Sequence, residues 1–115
     1  MPIIDNAVYV GGHRIQNPES LELTFEYMRS KGGMAWIGLF RPTQEEIQQV
    51  AAEFSLHPLA VEDALNGHQR AKIERYGDIL FVVLRPARYI DATETVDFGE
   101  LHVFVGPDFV VTVRH

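Results

Sequence analysis

Between His57 and Leu84 the spacing of apolar residues switches from a helical period to a strand period within a few positions. That switch constrains the fold more than any other feature of the chain. Pro58 stands where a first helical residue stands, Val61 and Leu65 recur four apart, and Asn66-Gly67 supplies a stop. From Ala71 to Tyr76 apolar and charged residues alternate. Gly77-Asp78 then turns the chain into Ile79–Leu84, which is apolar on both faces. The stretch reads as a short capped helix, a polar turn and two paired strands.

The flanking sequence extends this pattern in both directions. Ala7–Val10, Gly11-Gly12 and His13–Ile15 form a hairpin pattern, with two glycines for a tight turn. Asn17-Pro18 predicts a cap followed by proline at the first helical position. Leu21, Phe25 and Met28 then repeat at helical spacing as far as Gly32-Gly33. Met34–Phe40 reads as a buried strand. Thr43 and Glu46 have the spacing of a capping box ahead of the Ile47, Val50, Ala51, Phe54 stripe, which predicts an amphipathic helix over 43–54. Downstream, Ile79–Tyr89 is one long strand in which Pro86 marks a bulge or an edge. Asp91-Ala92-Thr93 is a turn, Thr95–Val105 the next strand, Gly106-Pro107-Asp108 another turn, and Phe109–Arg114 the last strand. About six to seven strands and three helices, the helices all within the first 66 residues, predict an α+β fold with a mixed, largely antiparallel sheet.

Composition narrows the function. At 115 residues the chain reads as a single soluble domain over 1–115. Its formal charge of −6 argues against a nucleic-acid partner, which calls for a basic face. The absence of cysteine excludes disulfides and thiolate metal sites. Apolar runs such as Ile79–Leu84 fall far short of a membrane span, and MPIIDNAVYV lacks the basic start and long apolar core of a secretory signal. The chain is therefore expected to be soluble and cytoplasmic.

Glu62-Asp63 is the best candidate for ion chemistry. Helical neighbours point about 100° apart, so the pair cannot easily chelate one ion together. Each can supply an oxygen to a different ion, or share one with another subunit. Mg²⁺ suits that role, because it keeps several waters and takes only one or two carboxylates. The competing reading is a solvated helix face. His13, His57, His68, His102 and His115 form no recognisable metal set: His57 reads as a helix-start residue, His68-Gln69-Arg70 as a hydrogen-bonding cluster, and His102 as core or sheet surface. Arg70, Lys72, Arg75, Arg85 and Arg88 read as a solvated strand face paired with nearby acids. Trp36 and the seven phenylalanines read as core. No phosphate-binding loop, dinucleotide fingerprint or nucleophile elbow occurs, so the chain does not read as an enzyme. A hydrolase using Glu62 or Asp63 with His57 would need a deep cleft joining them.

Three segments resemble the CorA-type magnesium and cobalt transporters: WIGLFRPTQEE at Trp36–Glu46, the block from His57 to Leu84, and FGELHVFVGPDFVVTVRH at Phe98–His115. In that family this region is an α/β/α cytoplasmic domain with a central mixed sheet, on the cytoplasmic face of a homopentamer whose pore bears a Gly-Met-Asn motif. The resemblance implies a cytoplasmic regulatory domain of a Mg²⁺/Co²⁺ transport protein. It places Glu62 and Asp63 at the acidic pair associated with divalent-ion sensing between subunits, with Mg²⁺ or Co²⁺ as a weak regulatory ion and no tightly bound cofactor. Gly33-Met34 is followed here by Ala35, so the pore motif does not occur, and neither the long helix nor the membrane spans are present. The sequence thus reads as a piece ending before the pore, with half an ion site, expected as a monomer or weak dimer. The alternative is a free-standing soluble module of the same fold that binds a cation or a protein.

Overall fold

A computed structural model of the chain describes residues 3–16, 18 and 20–115. In chain order the elements are β1 (Ile3–Val10), β2 (His13–Gln16), α1 (Leu21–Lys31), β3 (Met34–Phe40), α2 (Gln44–Phe54), α3 (Pro58–Asn66), β4 (Lys72–Tyr76), β5 (Ile79–Leu84), β6 (Ala87–Ile90), β7 (Thr95–Phe98), β8 (Leu101–Val105) and β9 (Phe109–Arg114). Seven strands form one sheet in the order β2-β1-β3-β9-β8-β5-β4, and β6-β7 form a separate hairpin. Among the described residues only the β3–β9 pair is parallel (Ala35 opposite Phe109, Phe40 opposite Arg114), so the sheet is mixed and mostly antiparallel, as expected.

The helices form where the sequence places start and stop signals. The capping box of α2 is closed in both directions: Glu46 N–H donates to Thr43 Oγ1 at 3.2 Å, and Thr43 N–H donates to Glu46 Oε1 at 2.9 Å. For α3 the cap is His57, whose Nδ1 accepts from Leu59 N–H at 3.1 Å, with Pro58 next in the helix. α1 departs from expectation. Its cap is Ser20, accepting from Leu23 N–H, while Asn17 lies outside the described residues.

Strand alternation divides the sheet into two unlike faces. Ile37 and Leu39 of β3, Ile79, Phe81 and Val83 of β5, Phe104 of β8, and Phe109, Val111 and Val113 of β9 point to one side. There they form a single core with Leu21 and Phe25 of α1, Ile47 and Val50 of α2, and Val61 and Ala64 of α3. Phe54 links the helices to the sheet, meeting Phe25 edge-on and stacking on Phe109 with ring centroids 4.3 Å apart.

All three helices therefore cover one face, and the described residues build two of the three layers that the family resemblance implies. The other face carries Leu80, Val82, Leu101, Val103, Val105 and Val110, only half-buried, together with Trp36 at 42% and Phe40 at 40% exposure. The expectation that Trp36 and every phenylalanine lie in the core is thus corrected. Period-two alternation sends Trp36 and Phe40 to the side opposite Ile37 and Leu39, and Phe98 is exposed on the β6-β7 hairpin.

The two long strands expected over Ile79–Tyr89 and Thr95–Val105 are each broken once, at Arg85-Pro86 and at Gly99-Glu100. The register nevertheless runs on through the break. Leu84 opposes Leu101, Ala87 opposes Phe98, and Gly99 N–H donates to Pro86 O at 2.8 Å between them. Proline has no N–H to return, which is why the ladder lapses there.

Candidate functional site

α3 lies beside the edge strand β4, and alternation turns Lys72, Glu74 and Tyr76 of β4 to the helix-bearing side, opposite Val83, Phe81 and Ile79. Lys72 Nζ donates to Asp63 Oδ2 at 2.8 Å, with side-chain exposures of 31% and 26%, and lies 2.5 Å from Glu74 Oε1. On its other oxygen Glu74 accepts from Tyr76 Oη at 3.1 Å. The Tyr76 ring stacks on His57 at 4.3 Å. The α3 cap, the edge strand and Asp63 are thus joined in one continuous run of contacts, a ring stack followed by hydrogen bonds and ion pairs.

Electrostatics follows this geometry. Hydrogen bonds to Asp63 and then to Glu74 outweigh desolvation and push the Lys72 ammonium up to about 12. The hydrogen bond from Lys72 holds the Glu74 carboxyl below its usual range, against a smaller opposing effect of burial. Desolvation first, and the hydrogen bond to Glu74 second, raise the Tyr76 phenol.

Glu62 faces elsewhere. It is exposed and lines an open groove between α2 and α3, bordered by Gln44, Gln48, Pro58 and Leu65. The two candidate acids therefore sit on different sides of α3, as the helical angle between neighbours requires. The groove that Glu62 lines includes neither Asp63 nor His57, so it does not join the three for acid–base work. Among the described residues, no three His, Cys, Asp or Glu side chains converge as a metal centre. Asp63 and Glu62 can each offer an ion one carboxylate, leaving its other positions to water or to another subunit.

A second polar cluster lies behind α3. His102 of β8 is fully buried, and its Nε2 meets Glu100 Oε2 at 2.9 Å. Glu100 also accepts from Gln69 N–H at 2.6 Å, and His115 Nε2 lies 2.5 Å from Ala64 O. Arg85 ties the hairpin base to this loop, donating to Gln69 O at 3.1 Å and Gly99 O at 3.2 Å. The His68–Arg70 turn is thus a hydrogen-bonding cluster, as expected, and its structural role depends on Gly67. That residue has φ 70° and ψ −163°, a region essentially restricted to glycine. A side chain there would also crowd Glu100, with an added Cβ 3.1 Å from Oε2.

Sequence reasoning singled out Asp63 but missed Lys72 and Glu74 as its neighbours, and missed the Glu100–His102 pair. In both pairs the residues stand two apart, on β4 for Lys72 and Glu74 and at the entry to β8 for Glu100 and His102, a spacing that in extended chain puts two side chains on one face. What α3 would bring against that face was not encoded locally.

Comparisons with known proteins give the family and the fold. Residues 31–115 match the family model described as CorA-like Mg2+ transporter protein. YfjQ of Bacillus subtilis, a protein named for metal ion transport, is 32% identical over 77 residues, which are 67% of this chain and 23% of that one. The cobalt/magnesium transport protein CorA of Thermotoga maritima is 44% identical over 43 residues, 37% of this chain and 12% of its own. The chain thus spans less than a quarter of the length of these relatives. Among solved structures, the ZntB cytoplasmic domain of Vibrio parahaemolyticus superposes with a TM-score of 0.71 at 12% identity, covering 97% of this chain and 43% of that one. The soluble domain of CorA from Methanocaldococcus jannaschii gives 0.62 at 11% identity, covering 98% and 42%. At such identities the structural likeness speaks for the fold alone. No helix among the described residues is long and apolar enough to cross a membrane. With its sequence matching over residues 31–115, the chain belongs to the family of CorA-like Mg²⁺ transporter proteins.

Proposed function

We propose that this chain is the cytoplasmic regulatory domain of a divalent-metal transport protein, and that Asp63, with Glu62 beside it, is its ion-sensing contact. The observation that carries the reading is the Asp63 carboxylate. In a family described by Mg²⁺ transport it stands three-quarters buried at the rim between α3 and the edge strand, in contact with a cationic group. Mg²⁺, or Co²⁺ in its place, takes few protein oxygens and keeps its waters, which suits a site offering one carboxylate per face. The apolar open face of the sheet fits a domain built into a larger assembly, because contiguous apolar surface of that kind marks an interaction site. In a homopentamer, ions bridging Asp63 or Glu62 to acids of a neighbouring subunit favour the closed arrangement. Loss of those ions as Mg²⁺ falls shifts the population toward open states.

The test is transport by a full-length pentamer carrying this domain. Glu62→Ala/Asp63→Ala is expected to weaken inhibition by internal Mg²⁺. An unchanged Mg²⁺ dependence would refute the reading.

A further inference from the structure

The Lys72 ammonium stands between two carboxylates, 2.8 Å from Asp63 Oδ2 and 2.5 Å from Glu74 Oε1. The two acceptors are not equivalent. Asp63 belongs to α3 and faces the rim, whereas Glu74 lies on the same strand as Lys72 and is steadied by Tyr76, which is itself stacked on the α3 cap. The Lys72 side chain also passes the Phe81 ring, with Nζ 5.8 Å from its centroid, and this limits where the charge can go. The ammonium can therefore leave Asp63 and stay paired with Glu74 through side-chain rotation alone.

Building on the reading of Asp63 as the ion contact, we propose that Lys72 is a tethered cation that competes with the divalent ion for Asp63, and that Glu74 takes up the ammonium when the ion displaces it. Two properties follow. The first is a lowered affinity, since an incoming ion must displace a charge already in place. The second is selection by charge. A monovalent ion brings no more charge to Asp63 than the ammonium it replaces, whereas a divalent ion brings twice as much. Glu74 keeps the displacement from stranding an unpaired charge at a partly buried position, which would otherwise oppose binding strongly.

The experiment is a Mg²⁺ titration of this chain, followed by amide chemical shifts along α3 and β4, in the original protein and three variants. Asp63→Asn tests the reading on which the inference rests and is expected to abolish the response in α3. Lys72→Gln is expected to tighten Mg²⁺ binding up to about fivefold, the range set by an ion pair of this exposure. Lys72→Arg keeps the charge but grips a carboxylate with a planar fork, and is expected to weaken binding. A change in net charge alone would leave it unaltered. If Asp63→Asn loses the response while Lys72→Gln binds no more tightly than the original, the inference fails and the reading stands. If Asp63→Asn responds like the original, the reading itself fails. Should Lys72→Gln not fold, Lys72→Arg decides, and binding as tight as the original or tighter overturns the inference. A response that appears only in Lys72→Gln supports it, and no response in any form overturns it.

Discussion

His102 sits fully buried in β8 with Nε2 bonded to Glu100, while its Nδ1 has no hydrogen-bond partner among the described residues. Desolvation lowers its pKa below the ordinary 6.5, opposed by Glu100 and, more weakly, by Asp63, with His115 adding to the depression. A depressed value means that the unfolded chain binds the proton more readily. Stability is therefore retained above 6.5 and lost as the pH falls through the lower folded value. For Glu100, burial alone would raise the carboxyl, but hydrogen bonds from His102 and from the backbone of Gln69 and His68 bring it below 4.5, which adds a further loss in more acid solution. His102→Gln keeps a donor toward Glu100 but cannot titrate. It is expected to flatten the melting temperature against pH in the window that opens as the pH falls below 6.5. An unchanged slope in that window would show that the loss arises elsewhere. At this scale the sequence disclosed which residues were unusual but not what they touch. Glu62-Asp63 stood out by composition and His102 by its place in a strand. Lys72, nine positions after Asp63, reaches it only because α3 folds back beside β4.

Among the elements, α2 was the most legible, because its signals are local: Thr43 and Glu46 bond to each other and the Ile47, Val50, Ala51 stripe is buried. Thr43→Ala removes an acceptor for a first-turn N–H. It is expected to cost about 1 kcal/mol of stability in chemical denaturation without altering the Mg²⁺ response at α3. α1 was less legible, because both Asn17-Pro18 and Ser20 carry start signals. The choice of Ser20 is supported by Asn6 of β1, whose Nδ2 donates to the carbonyls of Pro18 and Ser20 at 3.3 and 3.2 Å. Nothing in a local window reveals that anchor, which lies 14 residues from Ser20 in sequence. The paired ribbon β5-β6 and β7-β8 was foreseen as two unbroken strands, and its register is that of an unbroken ribbon. Its outer part leaves Tyr89, Val96 and Phe98 more than half exposed, held by one ladder and the Arg88–Asp97 pair. A two-stranded hairpin of this kind is marginal alone in water.

For the whole molecule, the class and the single core followed from the order of the elements, but the strand order did not. Consecutive hairpins are the commonest outcome of a sequence rich in turns. They account for β1-β2, β4-β5 and β8-β9, but not for the parallel placement of β9 beside β3. That placement arises because Val111 and Val113 are apolar enough for the middle of the core and both are fully buried there. Removing residues 107–115 should therefore leave no cooperative thermal transition by circular dichroism, and a sharp melt of the shortened chain would contradict this. The same placement has a consequence for how the protein is made. β3 leaves the ribosome well before β9, its parallel neighbour, so the two sides of the sheet stay unjoined until β9 emerges. Such distant pairings close slowly. Until β9 arrives, the apolar edges of β3 and β8 stand open to one another and to any other nascent chain, so the growing polypeptide is expected to depend on chaperones until β9 has emerged.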